Sequence, residues 1–84
     1  MHHARLSSSP RLQRALRALA GRRATGGWMT TRQLVREAHV CAVNSVVAEL
    51  RANGAEIEVE LRTTRKGVRR YYYRLAKAPE GWDG

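Results

Sequence analysis

Between Arg62 and Arg74 the chain carries six cations, Arg62, Arg65, Lys66, Arg69, Arg70 and Arg74, and no acid. Cations at that density suit the binding of phosphate. A guanidinium offers a planar fork of donors to two oxygens at once, and an ammonium adds a compact point charge. This run is the densest part of a wider excess, sixteen Lys and Arg against seven Asp and Glu, for a net charge of +9. The resulting pI near 11.3 exceeds the value of about 9 that marks a nucleic-acid footprint.

Other chemistries lack their parts. The single cysteine, Cys41, has no partner for an internal disulfide, and the chain has no Cys and His cluster of zinc spacing. There is no Gly-rich phosphate loop and no set of acid, base and nucleophile, so we expect no catalysis and no cofactor. His3, with a free amino terminus, could chelate copper or nickel, but the ligand set is incomplete and we expect no metal. Cys41 has two readings, a small packing residue or weak cap, or a redox-sensitive thiol activated by a helix dipole. No apolar run approaches the roughly 20 residues that cross a bilayer. With no signal peptide either, the expected location is the cytoplasm, in association with the nucleoid.

The elements that must position the cations follow from periodicity. Residues 1–8 show none and read as a flexible arm. Ser9-Pro10 is a helix start, with Ser as cap and Pro at the first helical position. Leu12, Leu16 and Leu19 then form an inward stripe that Gly21 is expected to end, with Arg14 and Arg17 on a solvated face. In the segment Trp28 to Thr30, the Trp reads as a buried anchor, and the extended chain can add a third strand to a small sheet.

Residues 29–54, MTTRQLVREAHVCAVNSVVAELRANG, read as two short helices joined tightly. Thr30 and Gln33 make a capping box, and Met29 and Leu34 a hydrophobic staple. Leu34, Val35 and Ala38 face inward on one helix, and Val43, Val46, Val47 and Leu50 on the next, which ends at Asn53-Gly54. The period then changes from 3.6 to 2. Ile57, Val59 and Leu61 alternate with Glu56, Glu58 and Glu60, and Tyr71, Tyr73 and Leu75 alternate with Arg70, Tyr72 and Arg74.

A loop at Arg65-Lys66-Gly67 sets Leu61 opposite Tyr71, Val59 opposite Tyr73 and Ile57 opposite Leu75, so the inward sets match without a slip. The same register sets Glu58 opposite Arg74, Glu60 opposite Tyr72 and Arg62 opposite Arg70. That last like-charged pair is better tolerated against a polyanion. From Ala76 the chain is expected to be irregular, with Trp82 folded back or floating.

The expected fold is α+β: three helices and a terminal hairpin, in the order helix, strand, helix, helix, strand, strand, over residues 9–75. Over residues 28–75, the phrase AVNSVVAELRANG, an alternating strand, a basic Gly-containing turn and YYYRL resemble small bacterial and phage-type winged helix-turn-helix proteins. The resemblance implies a recognition helix at about Cys41 to Asn53 in the DNA major groove and a hairpin wing on phosphates or the minor groove. On that helix the exposed side would carry Ala42, Asn44, Ser45, Ala48 and Arg51. Asn44 can pair bidentately with adenine, Ser45 can serve phosphate or base, and the alanines can admit a thymine methyl. Glu49 would repel phosphates unless an arginine neutralises it.

Arg32 is a clamp candidate on the second helix, and Arg62, Arg65, Lys66, Arg69 and Arg70 on the wing. So few long polar side chains on the recognition helix shift weight from base reading to phosphate contacts. The expected function is therefore that of a DNA-binding protein, a small transcription regulator or a phage-type accessory factor, with double-stranded DNA as partner. The alternatives are a protein-docking winged helix that meets an acidic partner, or a binder of RNA or bulk nucleoid. A homodimer, if formed, would meet through the first helix or the tails.

Overall fold

The computed structural model describes residues 5–24 and 26–82. The amino-terminal histidines, with the metal chemistry considered for them, lie outside those residues. Three helices, α1 (Pro10–Ala24), α2 (Thr31–Ala38) and α3 (Val43–Ala52), stand with three strands, β1 (Met29–Thr30), β2 (Glu56–Thr63) and β3 (Arg69–Lys77). The strands form one antiparallel sheet in the order β1-β3-β2, so the fold is α+β.

Each helix end has an identifiable cause. α1 does not stop at Gly21. That glycine has open space around it and no positive φ, and the chain turns five residues later at Gly26, φ 74°. There the Gly26 amide donates to the Arg23 carbonyl at 2.9 Å and the Gly27 amide to Arg22 at 2.8 Å, the paired bonds of a Schellman end. α3 ends the same way at Gly54, φ 100°, with Gly54 donating to Arg51 and Ala55 to Leu50, both at 3.0 Å. The capping box of α2 is complete: Gln33 N donates to Thr30 Oγ1 at 3.1 Å, and Thr30 N to Gln33 Oε1 at 2.9 Å. Its far end is held from outside. Arg14 stays exposed, as expected of its face, yet its Nε donates to the Ala38 carbonyl at 2.8 Å and closes the carboxyl end of α2.

The core gathers Leu12, Leu16 and Leu19 of α1, Met29, Leu34 and Ala38, then Val43, Val46, Val47 and Leu50 of α3, closed by Ile57, Tyr73 and Leu75 of the sheet. A fully buried leucine contributes about 1.5–3 kcal/mol by leaving water. Val35 does not join its neighbours and stays 37% exposed.

The hairpin register is the expected one at every pair, including Glu58 with Arg74 and Arg62 with Arg70. Gly67, φ 79°, supplies the left-handed loop residue. Burial along it is not as expected. Ile57 is buried, but Val59 is 41% exposed, Leu61 46% and Tyr71 51%, because the hairpin runs out beyond the helices that would cover its inner face.

Residues 6–8 and 76–82 are more ordered than composition suggests. Leu6–Ser8 form a 3-10 turn tied to the body through Leu6 N on Asn53 Oδ1 at 3.0 Å and Gln13 Nε2 on the Leu6 carbonyl at 3.0 Å. At the other end, β3 continues through Ala76 to Lys77, Pro79 is buried, and Trp82 packs half-buried against the core.

Candidate nucleic-acid interface

α3 begins at Val43, with Ala42 as its cap and no side-chain bond there. The expected helix start at Cys41 is therefore two residues early, and Cys41 sits exposed in the preceding turn. The inward valines and Leu50 turn Asn44, Ser45 and Ala48 to the outside, all exposed. These three, with Ala42 and Arg51, form one wall of an open cleft. The inner face of the hairpin, through Val59 and Tyr71, forms the opposite wall. The structure thus brings the small-residued face of α3 and the wing to one opening.

Arg32, in the first turn of α2, lines a second cleft with Val68, Arg69, Arg70 and Tyr71. At the tip, Arg65 and Lys66 are exposed. Among the described residues no side-chain hydrogen bond or ion pair engages Arg32, Arg65, Lys66, Arg69 or Arg70. The hairpin's tip and the first two residues of β3 thus carry positive charge with no neutralising acid among the described residues.

Arg62 belongs elsewhere. The pleat turns it to the outer face of the sheet, where its Nε donates to Glu60 Oε1 at 2.8 Å. Its guanidinium also lies 4.3 Å from the Tyr72 ring centre and 5.4 Å from that of Trp28. Arg74 closes the cluster, 4.5 Å from the Trp28 ring centre and paired with Glu58 at 2.8 Å. Cation–π contacts of this kind contribute about 0.5–1 kcal/mol each at exposed sites. The hydrogen bond from Arg62 holds the Glu60 carboxyl below its ordinary pKa, and the same bond raises that of Arg62.

Arg62 is thus an internal partner rather than an open cation. Trp28 is the half-buried floor of an arginine stack, not the core anchor its type suggests. Alternation supplies part of the signal: once the structure pairs Met29 with Tyr73, parity puts Trp28, one residue earlier, on the face of Arg74 and Tyr72.

Two further residues have partners within the chain. Glu49 faces α1, where Arg11 Nη2 meets its carboxylate at 2.5 Å, so this acid is neutralised. Arg51 donates to the Ile57 carbonyl at 2.7 Å and ties α3 to the start of β2. Of the candidates, Asn44, Ser45, Ala42, Ala48, Arg32, Arg65, Lys66, Arg69 and Arg70 remain available to a ligand, while Arg62 and Arg51 are engaged within the chain.

Among the described residues no group of His, Cys, Asp and Glu is arranged to hold a metal ion, and no helix is long and apolar enough to cross a membrane. Comparison of the chain with known protein families, with curated proteins and with solved structures finds no match.

Proposed function

We propose that this protein binds double-stranded DNA as a winged helix-turn-helix domain, with α3 toward the major groove and the β2-β3 hairpin on the phosphate backbone. One observation carries the reading: Arg65, Lys66, Arg69 and Arg70 project from the hairpin without an internal acidic partner among the described residues. Three acids of α3 and the hairpin are paired instead, Glu49 by Arg11, Glu60 by Arg62 and Glu58 by Arg74, and Glu56 stands at the hairpin's base, away from the basic tip. The protein thus presents phosphate with cations and removes the acids that would repel it.

The reading also accounts for how little the helix offers to bases. Asn44 is the one exposed residue of α3 suited to a bidentate base contact, and alanines surround it. Binding should then depend chiefly on phosphates, and sequence preference should be modest. The role is that of a small regulator or an accessory factor that organises DNA.

Titration of the protein into fluorescein-labelled duplexes of unrelated sequence, read by anisotropy at two salt concentrations, tests this. We expect binding that weakens steeply with salt and varies by less than about tenfold between duplexes, less than one base contact contributes at its upper range. Absence of binding at low salt, or binding unaffected by salt, would overturn the proposal.

A further inference from the structure

The sheet has an open side. In the order β1-β3-β2, the eight-residue strand β2 pairs with β3 on one edge and, among the described residues, with no strand on the other. Which main-chain groups reach that edge follows from the ladder. Antiparallel pairs alternate between those that exchange hydrogen bonds and those that do not, and the Thr64 amide on the Val68 carbonyl, 2.8 Å, sets the phase. Counting back, Arg62, Glu60 and Glu58 direct their groups to β3, while Thr63, Leu61, Val59 and Ile57 turn theirs outward. The bond from Arg51 to the Ile57 carbonyl agrees with this phase and occupies that one group. What remains is the amide and carbonyl of Val59, Leu61 and Thr63, on a stretch whose apolar side chains are exposed. Native proteins blunt such an edge with charged side chains, a proline, a bulge or a cover, and the charges on this one, Glu58, Glu60 and Arg62, are of mixed sign and so can complement a second copy. Here the only irregularity lies below it, between Glu56 and Ile57.

We propose that this edge pairs antiparallel with the same edge of a second copy of the chain, about a twofold axis at Leu61. The register is selected by charge and by the open groups together. With the axis at Leu61, Val59 lies opposite the partner's Thr63, and all six open groups of each chain are paired. The Ile57 carbonyl stays with Arg51. On the outer face Glu60 lies opposite the partner's Arg62, twice by symmetry, so the two internal Glu60–Arg62 pairs join in a ring of four alternating charges. On the inner face Leu61 meets the partner's Leu61.

The neighbouring registers are worse. An axis at Glu60 sets Glu60 against itself, an axis at Arg62 sets Arg62 against itself, and an axis at Val59 sets Glu58 against Glu60 twice. Like charges directly opposite destabilise a strand pair.

The pairing is tested on the full chain without nucleic acid, so its failure leaves the DNA-binding proposal standing, and the reverse holds too. Sedimentation velocity over a range of concentrations should show a monomer converting to a dimer. In a Cys41→Ser background, Leu61→Cys places two sulfurs on the axis, with Cα atoms about 5.5 Å apart and within disulfide reach. Val59→Cys places them four residues apart along the pair, about 13 Å. Under mild oxidation Leu61→Cys should yield covalent dimer at least ~10-fold faster than Val59→Cys, given that only the first pair lies within bonding reach. Glu60→Arg should abolish the dimer, and adding Arg62→Glu should restore it. A monomer at every concentration, equal cross-linking at 59 and 61, or a dimer indifferent to Glu60→Arg would each overturn the proposal.

Discussion

Consider the replacement of Arg65, Lys66, Arg69 and Arg70 by alanine, singly and together, set beside Arg62→Ala. Each open cation that neutralises one phosphate releases condensed counterions and adds about −0.9 to the slope of log affinity against log salt. Four such contacts give a slope near −3.6, and affinity then falls about 150-fold between roughly 50 and 200 mM salt. Each single alanine should weaken every duplex alike and flatten the slope by about 0.9, and the quadruple variant should remove most of the salt dependence.

Arg62→Ala should do much less. Its guanidinium is already held by Glu60 at 2.8 Å and stacked on Tyr72, and its loss leaves a free carboxylate rather than a missing phosphate contact. Anisotropy titrations at four or five salt concentrations measure these slopes directly. The reasoning is refuted if Arg62→Ala flattens the slope as much as Arg69→Ala, or if the quadruple variant keeps its full salt dependence.

Stability should respond at the sites where structure is concentrated. Leu50→Ala removes a side chain with no solvent exposure and should destabilise by about 2–5 kcal/mol, measured by urea denaturation. Gly54→Ala forces a Cβ onto φ 100° where the added atom meets Pro79 only at an ordinary 3.8 Å, so the cost is backbone strain of about 1–2 kcal/mol. Arg14→Ala uncaps the Ala38 carbonyl and should cost about 1 kcal/mol, read as a fall in Tm of about 5 °C. The lowered pKa of Glu60 means that its proton binds more weakly in the folded chain than in the unfolded one. Its contribution is therefore present above the ordinary carboxylate pKa and is lost as pH falls through the folded value. A carboxyl-carbon NMR titration should show Glu60 moving back up in Arg62→Ala.

Local order was legible because its signals are local. The capping box at Thr30 and Gln33 depends on residues three apart, and the Gly54 helix end on the conformational freedom of one residue. The hairpin register depends on parity and the position of Gly67, and every cross-strand pair from Ile57 outward followed from those two facts, while the shift that sets Glu56 opposite Lys77 did not. Gly21 misled because a glycine permits a left-handed turn without requiring one, and Gly26 supplied the paired bonds that end α1.

What tertiary structure alone decided is how far the helices extend over the sheet, and which charges meet between helices. Alternation places Val59, Leu61 and Tyr71 on one face, but burial needs a helix above that face, and none reaches so far along the hairpin. Sequence spacing gives no sign that Arg11 will meet Glu49 across 38 positions, or that Arg14 will cap α2. Arg62 is the sharpest case. By composition it is one of six equivalent cations; alternation already puts Glu60 and Tyr72 on its face, and the pairing of β1 with β3 adds Trp28. A charge run is a property of the chain, but which of its charges remain open to a ligand is set by the fold, because each ion pair formed within the chain neutralises one cation where it stands on the surface.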